Sequence, residues 1–231
     1  NTMSNFVKML NEMRRLYKED PLKAVRSKSM IQCLENYIKN ELESRLNSAG
    51  KRDLKVNHEV KIFHAEKMKS VDISVIHPEG GPLITVGVRS QNSSLGKNMN
   101  TYYQDIIGEC VGVQSRYPMS VHAYVYTIPK EVIMEGKVSK EIINHEKYAE
   151  LLNSLGGRSK LNDLDYKNAL LLNKTVYDYM SFFVVDYKAE PIKTFKKWEE
   201  EGFDNLTDIE KLPSEIIKTF KKRFHFLDYF N

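Results

Sequence analysis

The chain has 231 residues, 41% hydrophobic and 29% charged, which suits one sizeable globular domain with its own core and excludes a disordered chain. Lys and Arg number 35 against 31 Asp and Glu, a formal charge of +4 that permits a nucleic-acid partner without demanding one. No apolar run approaches the roughly 18 residues of a bilayer span, and the N-terminus lacks a signal-peptide stretch, so no membrane association and a cytoplasmic setting are expected, with Met3 a candidate native start.

Cys33 and Cys110 lie in segments with helical spacing and form no CxxC pair, so they read as small buried hydrophobes rather than zinc ligands. Apolar positions in residues 4–19 (Phe6, Val7, Leu10, Met13, Leu16, Tyr17) predict a helix that Asp20-Pro21 ends. Residues 27–47 repeat the pattern, with Gly50 as a stop signal. The period then changes. Residues 54–63, 70–77 and 83–91 read as a three-stranded meander, with the turn His77 to Pro82 between the last two. Val71, Ile73 and Val75 alternate with Asp72 and Ser74, which puts Asp72 opposite a core-facing row.

A polar loop from Asn92 to Asn98 is expected next, then a helix over 99–116 and a strand over 121–128 closed by Pro129. Helices over 139–155 and 161–179, a buried strand at 182–185, and helices over 195–201 and 214–224 complete the reading. The expected class is α/β with some α+β character: a central mixed sheet flanked by helices. One domain over 1–231 is expected, with the core at about 27–130 and an extension at 131–231.

Metal-assisted phosphodiester cleavage needs carboxylates to hold Mg²⁺ and a cation to steady the developing charge. An economical arrangement takes one acid from a first strand and an acid-x-lysine tripeptide from the next, both ends of which share a face. Asp72 supplies the first acid. The tripeptide slot is Gly87-Val88-Arg89, so the cation is present as Arg and the acid is missing. Residues Val88-Arg89-Ser90-Gln91, Ser93-Ser94, Lys97-Asn98, Glu109 and Arg116-Tyr117-Pro118 resemble a V-R-S-Q-x-S-S pattern of the restriction-endonuclease-like superfamily, over about residues 30–130. This resemblance implies a type II restriction enzyme, that is, a Mg²⁺-dependent endonuclease acting on double-stranded DNA as a homodimer.

Three accounts of the missing acid stay open. The acid has moved to Glu109 on the following helix, with Asp105 second; or Glu35 on an earlier helix joins Asp72; or the site is silent and the domain only binds DNA. Asp72 and either glutamate would be metal ligands, Arg89 the stabilising cation and Gln91 an orienting group. Blander readings stand beside these: Asp72 a solvent-facing strand acid, Arg89 an ion-pair partner of Glu109, Gln91 to Ser94 turn formers, and the whole chain an interaction protein with no nucleic-acid partner. The six histidines show no metal-ligand spacing. Gly156 to Lys160 reads as a flexible basic linker, and Lys218, Lys221, Lys222 and Arg223 as a solvated helix face over Phe220 and Phe224.

Overall fold

The protein is described from a computed structural model over residues 2–231, apart from 94, 132, 135–136, 139–142 and 161–174. Helix α1 (Asn5–Glu19) starts where Ser4 accepts the amide of Val7, and it buries Phe6, Met9, Leu10, Met13 and Tyr17 along one face. Asp20 ends it and caps α2 (Pro21–Arg26), with Pro at the first position. Helix α3 (Ser29–Glu43) buries Met30, Leu34, Ile38 and Leu42. Gly50 is not a stop. It lies inside a short helix, α4 (Ser48–Asp53), that Asn47 caps; a Cβ there would collide with the Tyr229 carbonyl, so the residue is glycine to let the C-terminal tail approach.

The expected meander is present as β1 (Lys55–Phe63), β2 (Met68–His77) and β3 (Gly81–Ser90). Helix α5 (Leu95–Arg116) begins inside the segment read as a loop, because Leu95 and Met99 already belong to its buried face with Ile106, Cys110 and Val113. Strand β4 (Val121–Pro129) keeps Pro129 within its pairing to the next strand rather than closing on it. Two short strands, β5 (Ile133–Met134) and β6 (Lys137–Val138), precede α6 (His145–Asn153). The helix expected over 139–155 is therefore shorter, and residues 139–142 lie outside the described part. So does most of the helix expected over 161–179, whose last residue instead opens β7 (Tyr179–Asp186). The helix expected at 195–201 is replaced by β8 (Lys193–Thr194) and a single 3-10 turn at Trp198–Glu201. Helix α7 (Leu212–Arg223) ends the regular structure.

The main sheet runs β1-β2-β3-β4-β7-β8. Its first three strands are antiparallel, β3-β4 and β4-β7 are parallel, and β8 returns antiparallel. The sheet is mixed and covered by helices on both faces, an α+β arrangement. One layer joins α1, α3 and α7 to Ile73, Val75, Val86 and Val88; the other joins α5 and α6 to Tyr124, Tyr126, Phe182 and Trp198. Val71 departs from its expected row: it packs with Ile62 and Val113 of α5 rather than with Ile73 and Val75. The residues expected to form an extension supply β7, β8 and α7, and so complete the sheet.

Two basic segments are not where the sequence suggested. Arg158 is 1% exposed, in a turn fixed by bonds to Asp178, Gln114 and the Ser120 carbonyl, and is no flexible linker. Arg223 turns inward from α7 to the same Asp178, while Lys218, Lys221 and Lys222 stay exposed as expected. No helix among the described residues is long and apolar enough to cross a membrane.

Candidate active site around Asp72

Asp72 sits where β2 is released from both neighbours. Toward β1, His58 pairs with Ile73 and Val60 with Val71, but the Glu59–Asp72 position between them is skipped. Glu59 has φ of 47°, a left-handed backbone that a glutamate adopts only under constraint from its surroundings. Toward β3, pairing runs from His77–Gly81 to Ile73–Val86 and goes no further. The Asp72 carboxylate takes over there: its Oδ2 accepts the Val88 amide at 2.8 Å. The side chain thus lies in the gap between two strands and is half-buried. Burial raises its pKa, against the lowering pull of the Val88 amide.

Glu109 approaches this gap on α5. The carboxylate occupies the space above Gly87: a Cβ placed on Gly87 would stand 3.2 Å from Oε1 of Glu109 and would overlap the Tyr124 ring. The pKa of Glu109 is raised to about 7, by burial first and by the charge of Asp72 second. Glu35 comes from α3, which belongs to the opposite layer. It is 4% exposed, its Oε2 lies 3.8 Å from Nδ1 of His58, and its pKa is likewise raised to about 7, by burial and then by Asp72. The structure therefore brings both proposed partner acids into the field of Asp72 from the two faces of the sheet. Asp105, the second choice on α5, is exposed.

Arg89 shares the face of Gly87, as strand alternation requires. Its guanidinium lies over the Tyr102 ring at 4.2 Å, and Nε donates to the Tyr124 hydroxyl at 3.4 Å. It is held by aromatic rings, not by direct ion pairing with Glu109, yet its charge reaches both Asp72 and Glu109. Gln91 is 6% exposed; its Oε1 accepts the Tyr126 hydroxyl and its Nε2 donates to the Ser93 carbonyl at 3.3 Å. These bonds fix the end of β3 and the entry to α5, a positioning role. Ser94 lies outside the described residues.

Sequence reasoning missed four participants. Glu59 adds negative charge opposite Asp72, and Lys28 pairs with it at 3.2 Å. Lys69, three residues before Asp72, offsets the charge of Glu109. Tyr124 closes the space above Gly87. Only Lys69 carried a sequence signal, through its closeness to Asp72 in the same strand. Among the described residues no group of three His, Cys, Asp or Glu side chains is arranged to hold a metal ion.

Gly87 is glycine because the Tyr124 ring, 2% exposed, crosses directly over it. Gly87→Ala is expected to destabilise the protein by about 1–3 kcal/mol through overpacking, read as a lowered Tm. Gly87→Glu is expected to cost more and to add no activity, since the position has no room for a second acid. A Gly87→Ala variant as stable as the parent would show that the ring yields.

The comparisons with known proteins return nothing: no family model, no curated protein and no solved structure matches the chain.

Proposed function

We propose that the chain is a Mg²⁺-dependent endonuclease of double-stranded DNA on a restriction-endonuclease-like core, of the type II kind, acting in the cytoplasm. The observation that supports this reading is that Glu109 and Glu35 each feel the charge of Asp72 at a break in the strand ladder, from opposite faces of the sheet, with the charge of Arg89 reaching Asp72 and Glu109. Acids brought together in a half-buried gap raise one another's pKa, and such a site is relieved by a hard divalent cation with oxygen ligands. Asp72 and Glu109 would hold Mg²⁺, with Glu35 the reserve ligand, since carboxylate oxygens are the donors this ion takes. Bound there, Mg²⁺ would supply Lewis-acid polarisation of the phosphate and a water of lowered pKa.

The chain's own residues do the rest. Asp72, fixed by the Val88 amide, presents its other oxygen without searching rotamers. Arg89, oriented by Tyr102 and Tyr124, places a permanent cation near the developing charge, and its high pKa suits it to charge stabilisation rather than proton donation. Gln91 keeps the strand end in place. Two-fold symmetric DNA calls for a homodimer.

The test is cleavage of duplex DNA by purified protein with Mg²⁺ or Mn²⁺. Asp72→Ala is expected to lose cutting by about 100-fold or more while still binding DNA. Parental cutting by that variant would remove Asp72 from the site. A second reading, a silent DNA-binding module, is favoured by the absence of a three-ligand group among the described residues. It predicts salt-sensitive DNA binding with no cutting and no Mn²⁺ bound near Asp72.

A further inference from the structure

The β1–β2 hairpin projects from the site along the two strands that carry Glu59 and Asp72. Its last rungs pair Lys61 with Ser70, Ile62 with Lys69 and Phe63 with Met68. Lys61, Lys67 and Lys69 are exposed, and Phe63 and Met68 are each 50% exposed. Arg116, at the end of α5, lies over the Phe63 ring at 5.3 Å and is itself exposed. Glu66 is the one carboxylate in this hairpin segment, residues 61–69. A hairpin end with four cations spread over its two faces and tip, one carboxylate and two bared apolar side chains is unusual for a chain whose charges otherwise nearly balance.

The hairpin is also held rigidly. The tip closes through the His64 amide to the Lys67 carbonyl at 2.8 Å. The His64 ring is buried against α5 at Gly112, where any Cβ would overlap it. Ile62 packs with Val113, one helical turn from Glu109. Lys69 stands opposite Ile62, on the α5 side of the sheet where Glu109 lies, and about 10 Å of strand separates it from Asp72. That distance corresponds to about three base-pair steps along the duplex axis, at 3.4 Å each.

We propose that this hairpin, with Arg116, is the arm that grips the DNA backbone beside the scissile phosphate, Lys69 nearest the carboxylates and Lys61, Lys67 and Arg116 on the phosphates further along. The inference rests on the nuclease reading, because that reading supplies the polyanion. Lys69 would meet a phosphate on the α5 side of the hairpin and Lys61, turned by strand alternation to the other face, one on its far side, with Lys67 and Arg116 at the tip, and Phe63 offers a face for the sugar or a base edge. Because the arm is anchored before binding, little ordering entropy opposes the contact.

The test compares two triple variants in binding to a fluorescent DNA duplex across salt concentrations. One is Lys61→Ala, Lys67→Ala, Lys69→Ala. The other removes the same charge from distant exposed positions: Lys8→Ala, Lys23→Ala, Lys193→Ala. All six lysines are exposed, so both variants should keep the parental Tm. The hairpin variant is expected to bind about 10-fold or more weaker, with the slope of log affinity against log salt reduced by about 2–3, since each phosphate contact contributes about 0.9. The control is expected to keep most of the affinity and slope. Equal losses in the two variants would reduce the effect to bulk charge and overturn the arm. So would parental binding by the hairpin variant while the parent still cuts DNA, which leaves the nuclease reading standing. A folded parent that binds no duplex at low salt would overturn both.

Discussion

Asp178→Ala is expected to destabilise the protein by about 3–5 kcal/mol, a large part of the margin of an ordinary domain. Asp178 sits just before β7 and is fully buried with two guanidiniums. Its carboxylate accepts Nε and Nη2 of Arg158 at 2.9 Å each, Nη1 of Arg223 at 3.0 Å, Nη2 of Arg223, and the His122 amide at 2.9 Å. Alanine there leaves two cations in a space with almost no water, and neither can lose its proton cheaply. Arg223→Met is expected to cost clearly less, because it leaves one compensated pair, Arg158 with Asp178. Urea denaturation of the two variants is the measurement. An Asp178→Ala variant within 1 kcal/mol of the parent, or one more stable than Arg223→Met, would show that the network is not what ties these segments together.

The consequence reaches the site. Asp178 joins the turn at Arg158, the end of α7, the start of β7 and, through His122, the start of β4. Strand β4 carries Tyr124, whose ring lies over Gly87 and whose hydroxyl orients Arg89. Loss of the network is therefore expected to loosen the Arg89 side of the site as well as the fold.

None of this was legible in the sequence. Arg158 follows two glycines and precedes Ser159 and Lys160, a local composition that belongs to loops. Arg223 closes a run of basic residues whose other members are exposed. What buries both is a single aspartate 20 residues from one and 45 from the other, and periodicity carries no information about such a contact. By contrast, β1 to β3 and α5 were legible because their periods, two and 3.6, reflect which face is buried and require no distant partner. Leu95 escaped that reading because Gly96, Lys97 and Asn98 mask the first turn of α5 with residues typical of loops.

The site was half legible. Strand alternation put Asp72 away from Ile73 and Val75 and placed Gly87 with Arg89, and the spacing along α5 marked Glu109. Hidden from that reasoning were the two ladder breaks around Asp72. They follow from the positive φ of Glu59 and from a carboxylate replacing a backbone acceptor, events of geometry that residue types do not announce. The empty slot at Gly87 also looked different in one dimension. It suggested a lost acid, whereas in space the position is taken by the Tyr124 ring and the Glu109 carboxylate.

Glu109→Gln is expected to make the metal-free protein more stable than the parent at pH 8 but not at pH 4.5, and to abolish a response to Mg²⁺. The Glu109 pKa rises from 4.5 in a free side chain to about 7 in the folded protein, through burial and the neighbouring Asp72. A folded-state pKa above the unfolded value means that the native state holds the proton longer. Between pH 4.5 and 7 the unfolded chain has fewer bound protons at this group, so stability is full below that window and falls as pH rises through it. The ionised Glu109 is half-buried, so the loss above pH 7 is discounted for partial solvation to about 1–2 kcal/mol. Glutamine has the same shape without the charge, and the difference between the two proteins, near zero at pH 4.5, should open to that size by pH 8. Glu35, also raised to about 7, contributes to the pH dependence of both proteins and cancels in the comparison. Millimolar Mg²⁺ is expected to raise the Tm of the parent at pH 8, because a ligand that binds only the native state stabilises it, and to leave Glu109→Gln nearly unmoved. DNA cleavage by the variant should fall by about 100-fold or more. A parent whose Tm ignores Mg²⁺ and Mn²⁺ at pH 8, with a pH profile matching that of Glu109→Gln, would mean that Glu109 neither shares the charge of Asp72 nor holds an ion with it.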